Sequence, residues 1–205
     1  MCFKIIQLKP REEAFQTVIK GLKKANAIVI CEGKTEVEIL KLLAYKMCTG
    51  KGTILVTDAG GIDLAIDYLR VFLAISRIIK QIKTIGTILD AEDVTPEERF
   101  HRIIDSLTSR GIQIKDTKHE GSNLYSFKTN TLQTLIAISG LPNYPKHRIE
   151  NHLKELQKIS NININLTSLK PANLTNTLKH LDIETLKKAF PHIAQLLTSL
   201  SQTLH

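Results

Sequence analysis

Ala27-Ile28-Val29-Ile30-Cys31-Glu32-Gly33, continuing into Lys34-Thr35-Glu36, is the stretch on which the reading of this chain turns. The apolar run 27–31 is too short for a helix of ordinary length and shows no polar alternation, which is the pattern of a strand buried on both faces of a sheet. It stops at an acid and a glycine. Apolar residues then recur at helical spacing through Val37, Leu40, Leu43 and Ala44, and a glycine-containing turn at 49–52 leads into a second apolar run, Thr53 to Thr57. Residues 27–57 therefore read as a βαβ unit.

Working outward, the same alternation continues. Upstream, residues 10–24 start with a proline and the acids Glu12 and Glu13 and end in Lys20, Lys23 and Lys24, a charge order that complements a helix dipole. Downstream, the turn Gly60-Gly61 starts an amphipathic helix to about Lys80, Thr84 to Leu89 reads as a third strand, and Thr95-Pro96-Glu97-Glu98 caps a helix to Arg110. Residues 112–118, 124–128 and 132–139 read as further strands. From Pro145 the pattern is helical, with starts near Pro171, Asp182 and Pro191 and an asparagine-rich break at 161–165. The expectation is an α/β fold, a Rossmann-like, mostly parallel sheet flanked by helices. Residues 1–145 would form the α/β domain and residues 146–205 a basic helical C-terminal appendage.

Composition narrows the class. A chain of 205 residues buries a sizeable core without staples, and Cys2, Cys31 and Cys48 form neither a disulfide framework nor a zinc pattern, so reduced thiols and a cytoplasmic location are expected. The N-terminal residues lack the apolar core and cleavage site of a signal peptide. The longest apolar region, 64–82, is broken by Asp67, Arg70, Arg77 and Lys80 at amphipathic spacing, which argues against a membrane span. The net charge is +8, and residues 1–140 and 141–205 each carry half of it, so the tail is the more densely positive. A polyanionic partner such as nucleic acid fits that balance.

Ligands of open parallel sheets bind beyond the carboxyl ends of the strands. Three of these strands end suggestively: the first at Glu32-Gly33, the second at Asp58 and Gly60-Gly61, the third at Asp90-Ala91-Glu92-Asp93. Acids gathered there repel one another unless a proton or cation lies between them, and an all-oxygen cluster suits Mg²⁺ or Mn²⁺.

Cys-Glu-Gly-Lys-Thr-Glu at 31–36, the Gly-Gly turn at 60–61 and Leu-Asp-Ala-Glu-Asp at 89–93 resemble the signature of the Toprim family. Within that family the closest likeness is to OLD-type nucleases and their small stand-alone relatives. The resemblance covers residues 27–106 well and reaches faintly through Leu141-Pro142 and Glu150 to about Leu153. It implies metal-dependent chemistry on phosphodiesters, with Glu32 as general acid/base or metal ligand, Asp90 and Glu92 as ligands, and Asp93 as a further candidate. Lys34, Gly60, Gly61 and Arg99 would contact phosphate. Glu92 departs from the pattern, standing where the signature has a second Asp. The implied partners are DNA or RNA and an ATPase supplied in trans; a homodimer is compatible with the sequence.

Each motif also has a plainer reading. Glu-Gly at a strand end is commonly only a turn, Lys34 a solvated loop lysine, Asp63 and Asp67 solvated helix acids, and the Arg99 contact an ordinary surface pair. Gly33-Lys34-Thr35 is not a P-loop, since Ile28 stands where the leading glycine belongs. His147 and His152 are five apart and share no helical face. The tyrosines lack the surroundings of a strand-passing nucleophile. The alternative function is a non-catalytic Toprim scaffold or nucleic-acid-binding module in recombination or repair, with phosphotransfer on a small nucleotide as a third.

Overall fold

Strand and helix alternate along most of the chain. The computed structural model describes residues 2–8, 15–160 and 170–204. Its elements are β1 (Lys4–Leu8), α1 (Phe15–Leu22), β2 (Ala27–Cys31), α2 (Lys34–Met47), β3 (Thr53–Asp58), α3 (Ile62–Ser76), β4 (Thr84–Asp90) and α4 (Pro96–Ser109). They continue with β5 (Thr117–Gly121), β6 (Leu124–Lys128), β7 (Gln133–Ser139), α5 (Ile149–Ser160), α6 (Pro171–Leu178), α7 (Ile183–Ala189) and α8 (Pro191–Thr203). The strands form one seven-stranded sheet in the order β1-β3-β2-β4-β7-β6-β5. β1, β3, β2, β4 and β7 are parallel, and β6 and β5 complete the edge antiparallel. The expected α/β, mostly parallel, helix-flanked sheet is therefore the fold.

Local chemistry explains where the elements begin. Every residue of β2 and β4 is buried, as continuous apolar strands at the centre of a parallel sheet must be. Thr95 caps α4 by accepting the Glu98 N–H at 3.2 Å, with Pro96 in the first turn. At the start of α2 the Glu36 carboxylate reaches back to the Gly33 N–H at 3.1 Å.

Successive strand residues point to opposite faces, and two cores result. Ile28, Ile30, Ile85 and Leu89 join Leu69, Phe72, Phe100 and Leu107 under α1, α3 and α4. Val29, Cys31 and Ile88 join Leu40, Leu43, Leu153, Phe190, Leu196 and Leu200 under α2 and α5–α8. The C-terminal helices thus share a core with the sheet. Gly86 lets α8 come close: a β-carbon there would stand 3.2 Å from the Leu196 side chain. Among the described residues no helix is long and apolar enough to cross a membrane.

Three local expectations need correction. β1 has no counterpart in the sequence reading, because Lys4 and Gln7 interrupt its apolar residues; it is a half-exposed edge strand held by β3, with Lys4 opposite Thr53. The strand expected over 112–118 begins only at Thr117, and Ile112 and Ile114 instead pack against the α4-side core from a loop. Cys2 and Cys48, expected as thiols, form a disulfide, while Cys31 is a buried free cysteine. Their pairing is a tertiary consequence, since docking β1 beside β3 carries Cys2 to the left-handed residue that ends α2. The Phe3 ring alongside lies over Gly50, where a side chain would collide with it. The expected helix start at Pro10 and the break at 161–165 lie outside the described residues.

The disulfide yields a direct prediction. Closing a loop of 46 residues, it should stabilise the protein by about 4 kcal/mol. Denaturant unfolding of wild type and Cys48→Ser under oxidising conditions measures the difference. Equal midpoints would mean that the bridge does not form.

Candidate functional site

The parallel strands all end on one edge, and their last residues bring the acids together. The Glu32 N–H donates to the Ile88 carbonyl at 2.9 Å, which extends the β2–β4 ladder one step past β2. The Glu32 side chain then accepts the Asp90 backbone N–H at 2.9 Å. On its other flank, the N–H groups of Gly60 and Gly61 donate to the Glu32 carbonyl at 2.8 and 3.0 Å. Both glycines have positive φ, 81° and 138°, so this turn is closed to ordinary side chains. The Gly-Gly pair expected to approach phosphate is occupied in fixing the backbone of Glu32.

Asp90 is covered from β7 and α5. It lies opposite Ser139, whose hydroxyl bonds its carboxyl, and the Ile149 N–H at the start of α5 donates to Oδ1 at 3.0 Å. Burial above all, then the charges of Glu36 and Glu32, push the Asp90 carboxyl up to about 8 against the opposing Ser139 bond. Glu36, only 4% exposed, is pushed up to about 7, first by burial and then by Glu32 and Glu150. Glu32 is raised as well, mainly by burial, although the Asp90 N–H and Arg99 favour its charged form. Glu32, Glu36, Asp90 and the exposed Glu150 thus form one electrostatic unit.

Of the remaining expected residues, Glu92 raises Glu32 and Arg99 lowers it through charge, while their side chains are bonded elsewhere. Glu92, a non-glycine residue at φ 57°, exchanges backbone hydrogen bonds with His147 at 3.0 and 2.8 Å. Its carboxylate takes Nε and Nη2 of Arg148, each at 2.6 Å. Asp93 is largely exposed and lies 3.5 Å from the Lys146 amine. Arg99 donates from Nε and Nη2 to the Ala91 carbonyl at 3.3 and 2.9 Å, so it clamps the turn after β4 and acts on Glu32 only through its charge. Lys34 is exposed at the start of α2, and Asp58 ends β3 half-buried.

The oxygen donors suit a hard divalent cation, yet only two of the four expected ligands, Glu32 and Asp90, are neighbours. Glu92 and Asp93 are turned to basic partners on the 146–148 loop. Among the described residues no group of three or more His, Cys, Asp or Glu is arranged to hold a metal ion.

Sequence reasoning missed two contributors. Glu36 carried a signal: it falls one helical turn after Glu32, at the third position of α2, where a glutamate returns to the helix start. The buried histidines carried none. His152 Nε2 accepts the Gly140 N–H at 3.2 Å, which leaves its Nδ1 proton for the Ala189 carbonyl at 2.7 Å. Its ring centroid is 4.5 Å from that of His192, whose Nε2 lies 3.4 Å from the Ser139 hydroxyl. Burial holds both imidazoles below their ordinary range, His152 at about 4. A neutral polar row therefore runs from Asp90 through Ser139 to α8.

Comparison of the chain with protein-family models, with curated proteins and with solved structures finds no match in any of the three.

The pH dependence of folding tests the raised acids. Asp90 is ionised in the unfolded chain above its ordinary value of 3.8 but stays protonated in the fold up to about 8. Its protonated form contributes stability in full below the lower value, and that contribution is lost as pH rises through this window. In metal-free buffer, the stability of Asp90→Asn relative to wild type should therefore rise between about pH 5 and about pH 8.5, by something of the order of 3 kcal/mol. Urea midpoints at the two pH values read this out, and a difference independent of pH would remove Asp90 from the buried acid unit.

Proposed function

We propose that this protein is a divalent-metal-dependent, Toprim-like protein acting on nucleic-acid phosphodiesters, a nuclease of the OLD type. One observation carries the reading. Glu32 and Asp90 stand side by side at the carboxyl ends of adjacent parallel strands, both carboxyls raised first by burial and Asp90 raised further by the charges of Glu36 and Glu32. Such a pair is stabilised by a proton or by a cation, and a cation converts the repulsion into binding energy.

Glu32 and Asp90 would hold Mg²⁺ or Mn²⁺, and a bound ion supplies water activation and charge stabilisation at the leaving oxygen. The chain's own residues support the rest. Burial raises the Glu32 carboxyl, the direction that favours a general acid/base role. Glu36 and Glu150 deepen the negative potential, and the Ile149 N–H and the Ser139 hydroxyl hold Asp90 in place. Beside the acids, a cavity of about 520 Å³ is lined by Lys146, Arg148 and Lys154 together with Tyr144 and Glu150, which offers cations to a phosphate backbone of DNA or RNA. An ATPase partner in trans remains part of this reading.

The scaffold reading has its own observation, the pairing of Glu92 with Arg148 in place of a third carboxylate at the site. Two experiments separate the readings. Titration of the protein with Mg²⁺ and Mn²⁺, followed by cleavage assays on single- and double-stranded DNA and RNA, should show metal-dependent cutting that Asp90→Ala abolishes; cutting unchanged in the variant, or none in wild type, rejects the nuclease. Arg148→Ala should release Glu92 toward the acids. Because the pair is solvent-screened and therefore weak, Mn²⁺ affinity should tighten, by a few-fold at most. Unaltered affinity would leave Glu92 outside the metal site.

A further inference from the structure

The outer face of α3 carries an apolar stripe that no other element covers. Leu64 and Val71 lie seven residues apart on α3 with exposed Ala74 beside them, and Ile78, seven further on, stands in the turn that closes the helix; Leu64, Val71 and Ile78 are 40%, 53% and 82% exposed. Within α3 the row from Leu64 to Ala74 runs about 15 Å at the helical rise, and Ile78 continues it past the helix end. The opposite face of the helix holds Ala65, Leu69, Phe72 and Leu73, which are buried against β2 and β4, so the outer residues contribute nothing to the core. Scattered exposed apolar residues are ordinary; a row that continues from a helix face onto its closing turn marks an interaction face.

The charges beside the row identify its occupant. Asp63 at one end and Arg77 at the other are exposed, and among the described residues neither has a side-chain partner. Nearer the middle, Asp67 is engaged within the molecule by Arg70 at 3.2 Å and Arg110 at 3.3 Å. Arg70 is thereby neutralised by its own neighbour. When two such helices pack antiparallel about a two-fold axis through Val71, Leu64 of each meets Ile78 of the other. Asp63 of each then comes opposite Arg77 of the other, twice by symmetry. A parallel arrangement would set like charges together.

We infer that α3 is the self-association surface of this protein, its occupant the α3 of a second copy in antiparallel register. The pairing is independent of the acid site and of any nucleic acid. One helix face per copy is a small interface, so the dimer dissociates on dilution.

Sedimentation velocity of the full chain across a dilution series, in EDTA and without nucleic acid, tests this. Wild type should shift from dimer to monomer. Val71→Glu places two carboxylates on the axis and should weaken the dimer more than tenfold with an unchanged circular-dichroism melt, since Val71 is outside the core. Asp63→Arg and Arg77→Asp should each weaken it, and the double variant D63R/R77D should restore it. A wild type monomeric at every concentration, a dimer indifferent to Val71→Glu, or a double variant no better than the singles would each overturn the assignment.

Discussion

The hydrogen bond from the Asp90 backbone N–H to the Glu32 carboxylate ties two adjacent strand ends together and sets most of what surrounds them. It obliges two acids to share a largely dry edge of the sheet, and a buried carboxyl must be neutral or compensated. The neighbourhood follows from that constraint. The Gly60-Gly61 turn holds the backbone of Glu32, Ser139 and the start of α5 hold Asp90, and Arg99 grips the Ala91 carbonyl so that the chain leaves β4 in one direction. These contacts draw on elements spread from residue 32 to residue 149.

The same constraint gives the C-terminal helices their place. α5 delivers the N–H that caps Asp90, and α7 and α8 bury the two neutral imidazoles behind Ser139. Leucines from α5 to α8 complete the core on that face of the sheet. The acid edge and the helical segment are joined through packing and through a polar row that runs from His192 on α8 by way of Ser139 at the end of β7 to Asp90. The basic residues of the 146–148 loop lie at the join, where they neutralise Glu92 and Asp93 and line the cavity beside the acids.

Most of the sheet was legible because central parallel strands bury both faces and therefore appear as unbroken apolar runs. β2, β3 and β4 carry that signature with an acid at or just past each end, which made Glu32 and Asp90 readable as neighbours. β1 was hidden by its edge position, where Lys4 and Gln7 are tolerated. The residues 112–118 misled because Ile112 and Ile114 are apolar for packing and not for pairing. Glu92 and Asp93 looked equivalent to Asp90 in the run 90–93. The left-handed turn at Glu92 sends them the other way, toward bases more than fifty residues distant.

By itself the sequence determined the alternation of strand and helix, the parallel class of the sheet, the edge on which the acids gather, and the helix starts at Pro96, Pro171, Asp182 and Pro191. Those are local matters of periodicity, capping and burial, written within windows of a dozen residues or so. Tertiary structure alone decided that Cys2 meets Cys48, that Glu36 and Glu150 add their charge to Asp90, that Arg148 takes Glu92, and that His152 and His192 stand behind Ser139. Each of these joins residues from separate elements, and their proximity depends on strand order and helix packing, which no local pattern encodes.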